Sequence, residues 1–284
     1  MADPLLMGAV AYDPKVVTIW EGFRRWLVAS GLDFDFVLYS HYERQVDDLV
    51  AGRIHAAWNS PLAALRAERL ARARGRSVRA AVMRDTDRDL TSVVVVRPDS
   101  GLATVADLKG RTVAVGAVDS PQATLIPLDH LRSLGLRPGE DITVRRFDVG
   151  VGLHGDHTGG ERDAARALAA GQVDAACMID GNHLLFTQEG SLPAETRIVA
   201  QTPPYDHCTM TLVDSAPPEQ AERFTTLLLA MSYDDPDVRP LLDLEGLRVW
   251  REGRTSGYAQ LERAVDAVGF YDAGGRVTAA EYAP

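Results

Sequence analysis

Between residues 150 and 164 the sequence reads GVGLHGDHTGGERDA, which sets His154, Asp156, His157, Glu161 and Asp163 among five glycines. Neutral imidazoles and carboxylates are the ligand types that suit a divalent transition metal such as Zn, Fe, Ni or Cu, and a glycine-rich loop can fold them around one ion. The spacing matches no established signature such as H-E-x-x-H on a helix, so two other readings stay open. The loop can line a cleft and hydrogen-bond a solute, or it can be a solvated turn. His183 in DGNH and His207 in YDHC can approach the same place, which makes His154, His157, His183 and His207 the candidate metal set. In a catalytic version of the site, His154, His157 and Glu161 would carry protons while a metal polarised a substrate oxygen or activated water. Cys208 beside His207 suggests an imidazole-activated nucleophile. Against that, neighbours on an expected strand point to opposite faces.

Three helix starts carry a second kind of chemistry. AYDP at 11–14, WNSP at 58–61 and VDSP at 118–121 each follow a strand-like run, with Asp13, Ser60 or Ser120 as N-cap and proline at the first helical position. Each delivers a helix N-terminus to the carboxyl edge of a parallel sheet, where open α/β sheets bind ligands. Unpaired amides and the partial positive charge there suit phosphate, phosphonate, sulfate or carboxylate. Gln122 and Thr124 add side-chain donors beside Ser120, and Arg84, near Arg88 at the exit from the first unit, can clamp an anion.

The elements that would position these groups alternate strand and helix. LLMGAVAY, DFDFVLYS and IHAAWNS read as strands separated by the helical PKVVTIWEGFRRWLVASG and YERQVDDLVAGR, and the same alternation restarts at RTVAVGAV. The expected fold class is therefore α/β. It has two lobes, each a mostly parallel sheet flanked by helices, with a ligand cleft between them. Residues 1–96 with 200–284 are expected to form the first lobe and 97–199 the second, with LTSVVVVRPDSG as a crossing strand that leaves the first lobe. Trp20, Trp26 and Trp58 read as core and cleft-wall aromatics, and His55 and His130 as structural residues; His41 follows a strand and sits at the expected cleft mouth.

Composition limits the partners. A formal charge of −10 over 284 residues makes nucleic acid or an anionic membrane an unsuitable general partner, although a local cradle can still take a small anionic ligand. Two cysteines make no disulfide framework. Neither a nucleotide-binding glycine motif nor an apolar run of the ~18 residues a membrane span needs is present. The start, MADPLLMGAVAYDP, lacks a basic region, an apolar export segment and a lipid-anchor cysteine before the first strand. As written the chain is expected to be cytoplasmic; if an export signal has been removed, it is periplasmic.

LVAGRIHAAWNSPLAALRA at 49–67, DLKGRTVAVGAVDSPQATLIPLDHL at 107–131 and GERDAARALAAGQVDAACMID at 160–180 resemble elements of one family. It is the type 2 periplasmic binding protein fold, and within it the PhnD-like phosphate and phosphonate substrate-binding components of ABC transporters. The resemblance implies hinge closure on a small anionic solute, and a transporter permease as partner if the chain is exported. It places Tyr12, Tyr42, Asn59 and Ser60 on the first-lobe wall, and Ser120, Gln122, Ala123 and Thr124 at the second-lobe anion site. Asp180 falls near the hinge, and Tyr205 joins the ligand-binding set. Where the family commonly has a short G-S-H-D-A turn, this chain has GGERDA preceded by VGLHGDHT. The same fold also hosts soluble enzymes, so a metal-dependent lyase, decarboxylase or hydrolase is the alternative. The oligomeric state is left open.

Overall fold

A computed structural model describes residues 4–284. The strands, in chain order, are β1 (Leu5–Val10), β2 (Phe34–Tyr39), β3 (Ala56–Asn59), β4 (Val78–Arg84), β5 (Ser92–Val96), β6 (Thr112–Val115), β7 (Thr143–Arg146), β8 (Ala175–Ile179), β9 (Arg197–Gln201), β10 (Thr209–Val213) and β11 (Trp250–Glu252). They form two mixed sheets, ordered β11-β4-β10-β3-β1-β2 and β7-β6-β8-β5-β9. Strands β1, β2 and β3 pair in parallel, as do β7, β6 and β8, whereas β10 and β5 run antiparallel to their neighbours. The two-lobed α/β fold is thus as expected.

Burial on both faces explains the apolar runs. Strand β5, SVVVV, is buried along its whole length between β8 and β9, with helices covering the sheet. It is therefore an inner strand of the second sheet rather than the crossing segment expected up to residue 96. β9 lies in that sheet as well, so the second lobe runs from Ser92 to Gln201 and the chain crosses at 85–91 and 202–208. These two crossings touch each other. Leu90 and Tyr205 exchange both backbone hydrogen bonds at 2.8 Å, a minimal antiparallel bridge between the lobes.

Proline and serine start the helices that face the cleft. In the helix Pro61–Ala73 the Ser60 hydroxyl accepts from the Ala63 amide at 3.1 Å, and in the turn that precedes the helix Ile126–Ser133 the Ser120 hydroxyl accepts from Ala123 at 3.2 Å. Caps of this kind contribute ~1 kcal/mol each. The chain end then closes the lobes together. Leu62 and Leu65 of the first lobe, Leu125 and Ile126 of the second lobe, and Phe270, Tyr271 and Tyr282 of the C-terminal segment share one buried apolar cluster. Among the described residues no helix is long and apolar enough to cross a membrane.

Candidate functional site

The glycine-rich loop leaves the edge of the second sheet after β7 and returns in the helix Gly159–Ala169, and in between it fills the cleft. Its backbone is shaped by Gly150, Gly152 and Gly155 at φ 72°, 93° and 78°, with His154 itself in the left-handed region at φ 51°. Asp119 fixes the loop from below: its carboxylate accepts from the Gly152 amide at 2.7 Å and the His154 amide at 3.1 Å. Gln122 donates its amide to the Gly155 carbonyl at 2.8 Å. Gly155 lies so close to the Ser120 turn that a Cβ there would stand 2.4 Å from the Ser120 hydroxyl oxygen. On the other side, the Tyr42 amide donates to the Gly152 carbonyl at 3.1 Å, so the loop spans both lobes.

His154 enters a complete socket in the first lobe and is fully buried. Its Nδ1 lies 2.7 Å from the Ser60 hydroxyl, and its Nε2 lies 3.0 Å from Glu43 Oε1 and 3.2 Å from the Tyr282 hydroxyl. The Tyr42 ring stacks on the imidazole with centroids 4.7 Å apart. Glu43 also accepts from the Tyr271 hydroxyl at 3.0 Å. Burial pushes the Glu43 carboxyl up, but the His154 imidazole and the hydrogen bonds from His154 and Tyr282 outweigh it and bring the group down to about 2.

Two residues further on, Asp156 accepts from the Tyr42 hydroxyl. Burial raises its carboxyl above the ordinary carboxylate range, opposed by His207, the Tyr42 hydrogen bond and the Arg84 charge. Arg84 lies over the Trp58 ring at 5.3 Å and grips Asp87 with Nε at 2.5 Å and Nη2 at 2.9 Å, while Nη1 donates to the Glu245 carbonyl at 2.9 Å. Asp87 is likewise pushed up by burial, and Arg84 and His207 together carry it down to about 2. Glu245 goes the other way: burial pushes it from 4.5 to about 7 despite Arg84. The folded state therefore keeps this proton longer than the unfolded chain, and stability is lost as pH rises from 4.5 through about 7. Glu245→Gln is expected to flatten that part of the wild-type profile of urea midpoint against pH; an unchanged slope would exclude Glu245 as its source.

Beside Asp156, His207 and Cys208 lie in an irregular segment that ends where β10 begins, so the strand rule of opposite faces does not apply to them. His207 Nδ1 is 3.1 Å from Cys208 Sγ and 3.6 Å from Asp87, and its Nε2 is 3.4 Å from Gln122 Oε1. Because the thiol and the carboxylate meet the same ring nitrogen, they form no carboxylate–imidazole–thiol relay of the kind a nucleophile needs. Glu161 is buried behind Gln122. One of its oxygens accepts from the Ile179 amide at 3.1 Å and the Asn182 side chain at 2.8 Å, the other has no hydrogen-bond partner among the described residues, and burial raises its carboxyl.

Several expected site residues are committed elsewhere. The four candidate histidines do not share a centre: His157 is exposed and accepts from its own Gly159 amide at 3.2 Å, and His183 pairs with Thr196 at 2.9 Å. His154 is enclosed by Ser60, Glu43 and Tyr282, so with His157 and Glu161 it assembles no acid–base pair. Asn59 bonds Gln45 and Thr211 at 2.9 Å and 3.0 Å inside the first lobe, and Thr124 donates to the Ala117 carbonyl at 2.8 Å. Tyr205 pairs with Ser92 at 2.6 Å. Asp180, the first residue of a helix, accepts from Thr91 at 2.9 Å near the crossing. Ser60 and Ser120 cap their helices as expected, but His154 and Gly155 pack against those caps where a solute anion was expected. Tyr12 is half-buried beside Asp156, whose charge adds to burial in raising the phenol. Sequence reasoning missed Glu43, Asp87, Asp119 and Tyr282. Asp119 stands within the VDSP start and Asp87 between Arg84 and Arg88, so a signal existed for those two; none existed for Tyr282.

Two sheet-based lobes joined by paired crossings, with polar side chains converging between them, are the architecture of the two-lobed binding-protein fold. The family model described as "ABC transporter, phosphonate, periplasmic substrate-binding protein" matches residues 9–258, and the chain belongs to that family. No curated protein matches the chain by sequence. Among solved structures it is similar to PhnD1 from Prochlorococcus marinus in complex with methylphosphonate, with TM-score 0.69 and 14% identity over 94% of this chain and 98% of that one. XAC2383 from Xanthomonas citri bound to chloride ion gives TM-score 0.70 and 18% identity over 94% and 100%. The periplasmic aliphatic sulphonate binding protein SsuA from Escherichia coli gives 0.58 and 17% over 93% and 91%.

Proposed function

We propose that this chain is the solute-binding component of an ABC transporter and that its cleft takes a small anionic solute of phosphonate, phosphate or carboxylate type. The observation that carries this reading is Asp156. Its half-buried carboxylate accepts from Tyr42, and His207, Tyr42 and Arg84 favour its charged form against the burial that raises it, so the position offers partners to one anionic group. In the closed form the loop supplies that group itself; a solute anion takes its place when the lobes part about the Leu90–Tyr205 bridge. Membership of a periplasmic family, together with the methylphosphonate and sulphonate named for similar structures, supports the solute class and favours the periplasmic alternative over the cytoplasmic one. The same membership supports a transporter permease as partner.

Calorimetric titration of wild type and Asp156→Asn with methylphosphonate, phosphate, acetate and a short alkanesulfonate tests the reading. Removing a like charge from the anion position is expected to tighten binding of at least one of these about tenfold, the equivalent of ~1.4 kcal/mol. Failure of both proteins to bind any of the four, or uniformly weaker binding by Asp156→Asn, would count against it.

A further inference from the structure

We propose that Asp87, His207 and Cys208 form a binding site for one divalent transition metal ion of the zinc class. The three residues are buried, and one ligand atom from each, the imidazole Nδ1, the thiol Sγ and a carboxylate oxygen, lie within 4.8 Å of one another. Zinc holds nitrogen and oxygen at ~2.0–2.2 Å and sulfur at ~2.3 Å in a tetrahedron, so its ligand atoms stand roughly 3.3–3.7 Å apart. Separations of 3.1 Å from His207 Nδ1 to Cys208 Sγ and 3.6 Å to Asp87 already approximate that arrangement.

The hydrogen bonds around the cluster prepare it for this use. Gln122 spends its amide N–H on the Gly155 carbonyl at 2.8 Å, which turns its oxygen toward His207 Nε2 at 3.4 Å. In the tautomer with the ring proton on Nε2, the Gln122 oxygen accepts that proton and Nδ1 presents a lone pair between the thiol and the carboxylate. An outer partner that fixes the tautomer of a ligating histidine is a regular feature of metal sites. Arg84 holds the Asp87 carboxylate in orientation through two hydrogen bonds and leaves lone pairs free on both oxygens. The set of thiolate, imidazole and carboxylate suits zinc or cobalt better than magnesium or calcium, which prefer oxygen alone. Three protein ligands leave one tetrahedral position for water or for an oxygen of a bound solute.

This centre is independent of the solute class, and its test does not use a solute. The full chain, freed of metal with a chelator and dialysed, is titrated with Co2+ and then with Zn2+. A near-ultraviolet thiolate-to-cobalt charge-transfer band that saturates at one equivalent and is abolished by Zn2+ is expected, together with one zinc per chain by elemental analysis. Cys208→Ser is expected to remove the band, and both Cys208→Ser and Asp87→Asn to weaken zinc binding at least 100-fold, whereas His157→Ala and His183→Ala keep the band and the affinity. Circular dichroism confirms that each variant is folded, and the wild-type titration decides the matter if a variant is not. Absence of the band and of stoichiometric zinc in folded wild type overturns the site, as does unchanged zinc binding in folded Cys208→Ser.

Discussion

Gly155→Ala is expected to lift the loop out of the cleft and leave the two lobes folded but apart. Alanine at this position meets two penalties together. The backbone stands at φ 78°, which costs a non-glycine residue ~1 kcal/mol or more. In addition, the new Cβ would lie 2.4 Å from Ser120 Oγ and 2.6 Å from Gln122 Nε2. Neither neighbour can retreat freely. Ser120 would give up its cap on Ala123, and Gln122 would give up both the Gly155 carbonyl and His207. The strain is relieved by moving the loop, and the loop takes His154 with it. We expect a loss of about 2–4 kcal/mol in urea unfolding, in the range of overpacking combined with backbone strain. Small-angle scattering should give a larger radius of gyration than for wild type, because each lobe keeps its own sheet and core. Identical scattering and an unchanged urea midpoint would mean that the loop does not hold the lobes together.

The architecture was legible because its signals are local. Near-continuous apolar runs such as LLMGAV mark doubly covered parallel strands, and Ser60-Pro61 and Ser120-Pro121 mark helix starts within a few residues of themselves. The site was not legible to the same degree, because the contacts that define it are remote. His154 meets Asp119, Glu43 and Tyr282 across 35, 111 and 128 positions, and no spacing rule reaches so far. The loop was singled out for its histidines, and its chemistry turned out to be divided: His154 is enclosed between the lobes, Asp156 accepts from Tyr42 and His157 faces solvent. At His207 and Cys208 the difficulty was one of boundary. β10 begins at Thr209, one residue after the pair, so alternation along a strand placed apart two side chains that the irregular segment brings together. The lobe limit near residue 96 failed for a related reason, since a valine run fits a crossing strand and a buried inner strand equally well until its neighbours are known.

His154→Ala carries the largest expected loss and a distinctive pH signature. The imidazole is fully enclosed, stacks on Tyr42 and satisfies Ser60, Glu43 and Tyr282, so its removal leaves a cavity and a buried carboxylate without its main partner. Breaking a buried pair by removing one member typically costs about 3–5 kcal/mol. The sign of the pH dependence follows from Glu43. In wild type its carboxyl is held at about 2 against an ordinary 4.5, so the stabilisation is complete above 4.5 and is lost as pH falls toward 2. Without His154 the largest remaining influence is burial, which raises the carboxyl. The variant then prefers a protonated Glu43, and its stability falls as pH rises through and above the ordinary value. The penalty of His154→Ala, read from urea midpoints, should therefore be greatest near neutrality and smaller at about pH 4. Glu43→Gln should cost less than His154→Ala, and in the double variant the two losses should add to clearly less than their sum, because each removes the same interaction. A penalty that stays constant with pH, or strict additivity, would place the stabilising work of His154 in its packing against Tyr42 rather than in the Glu43 pair.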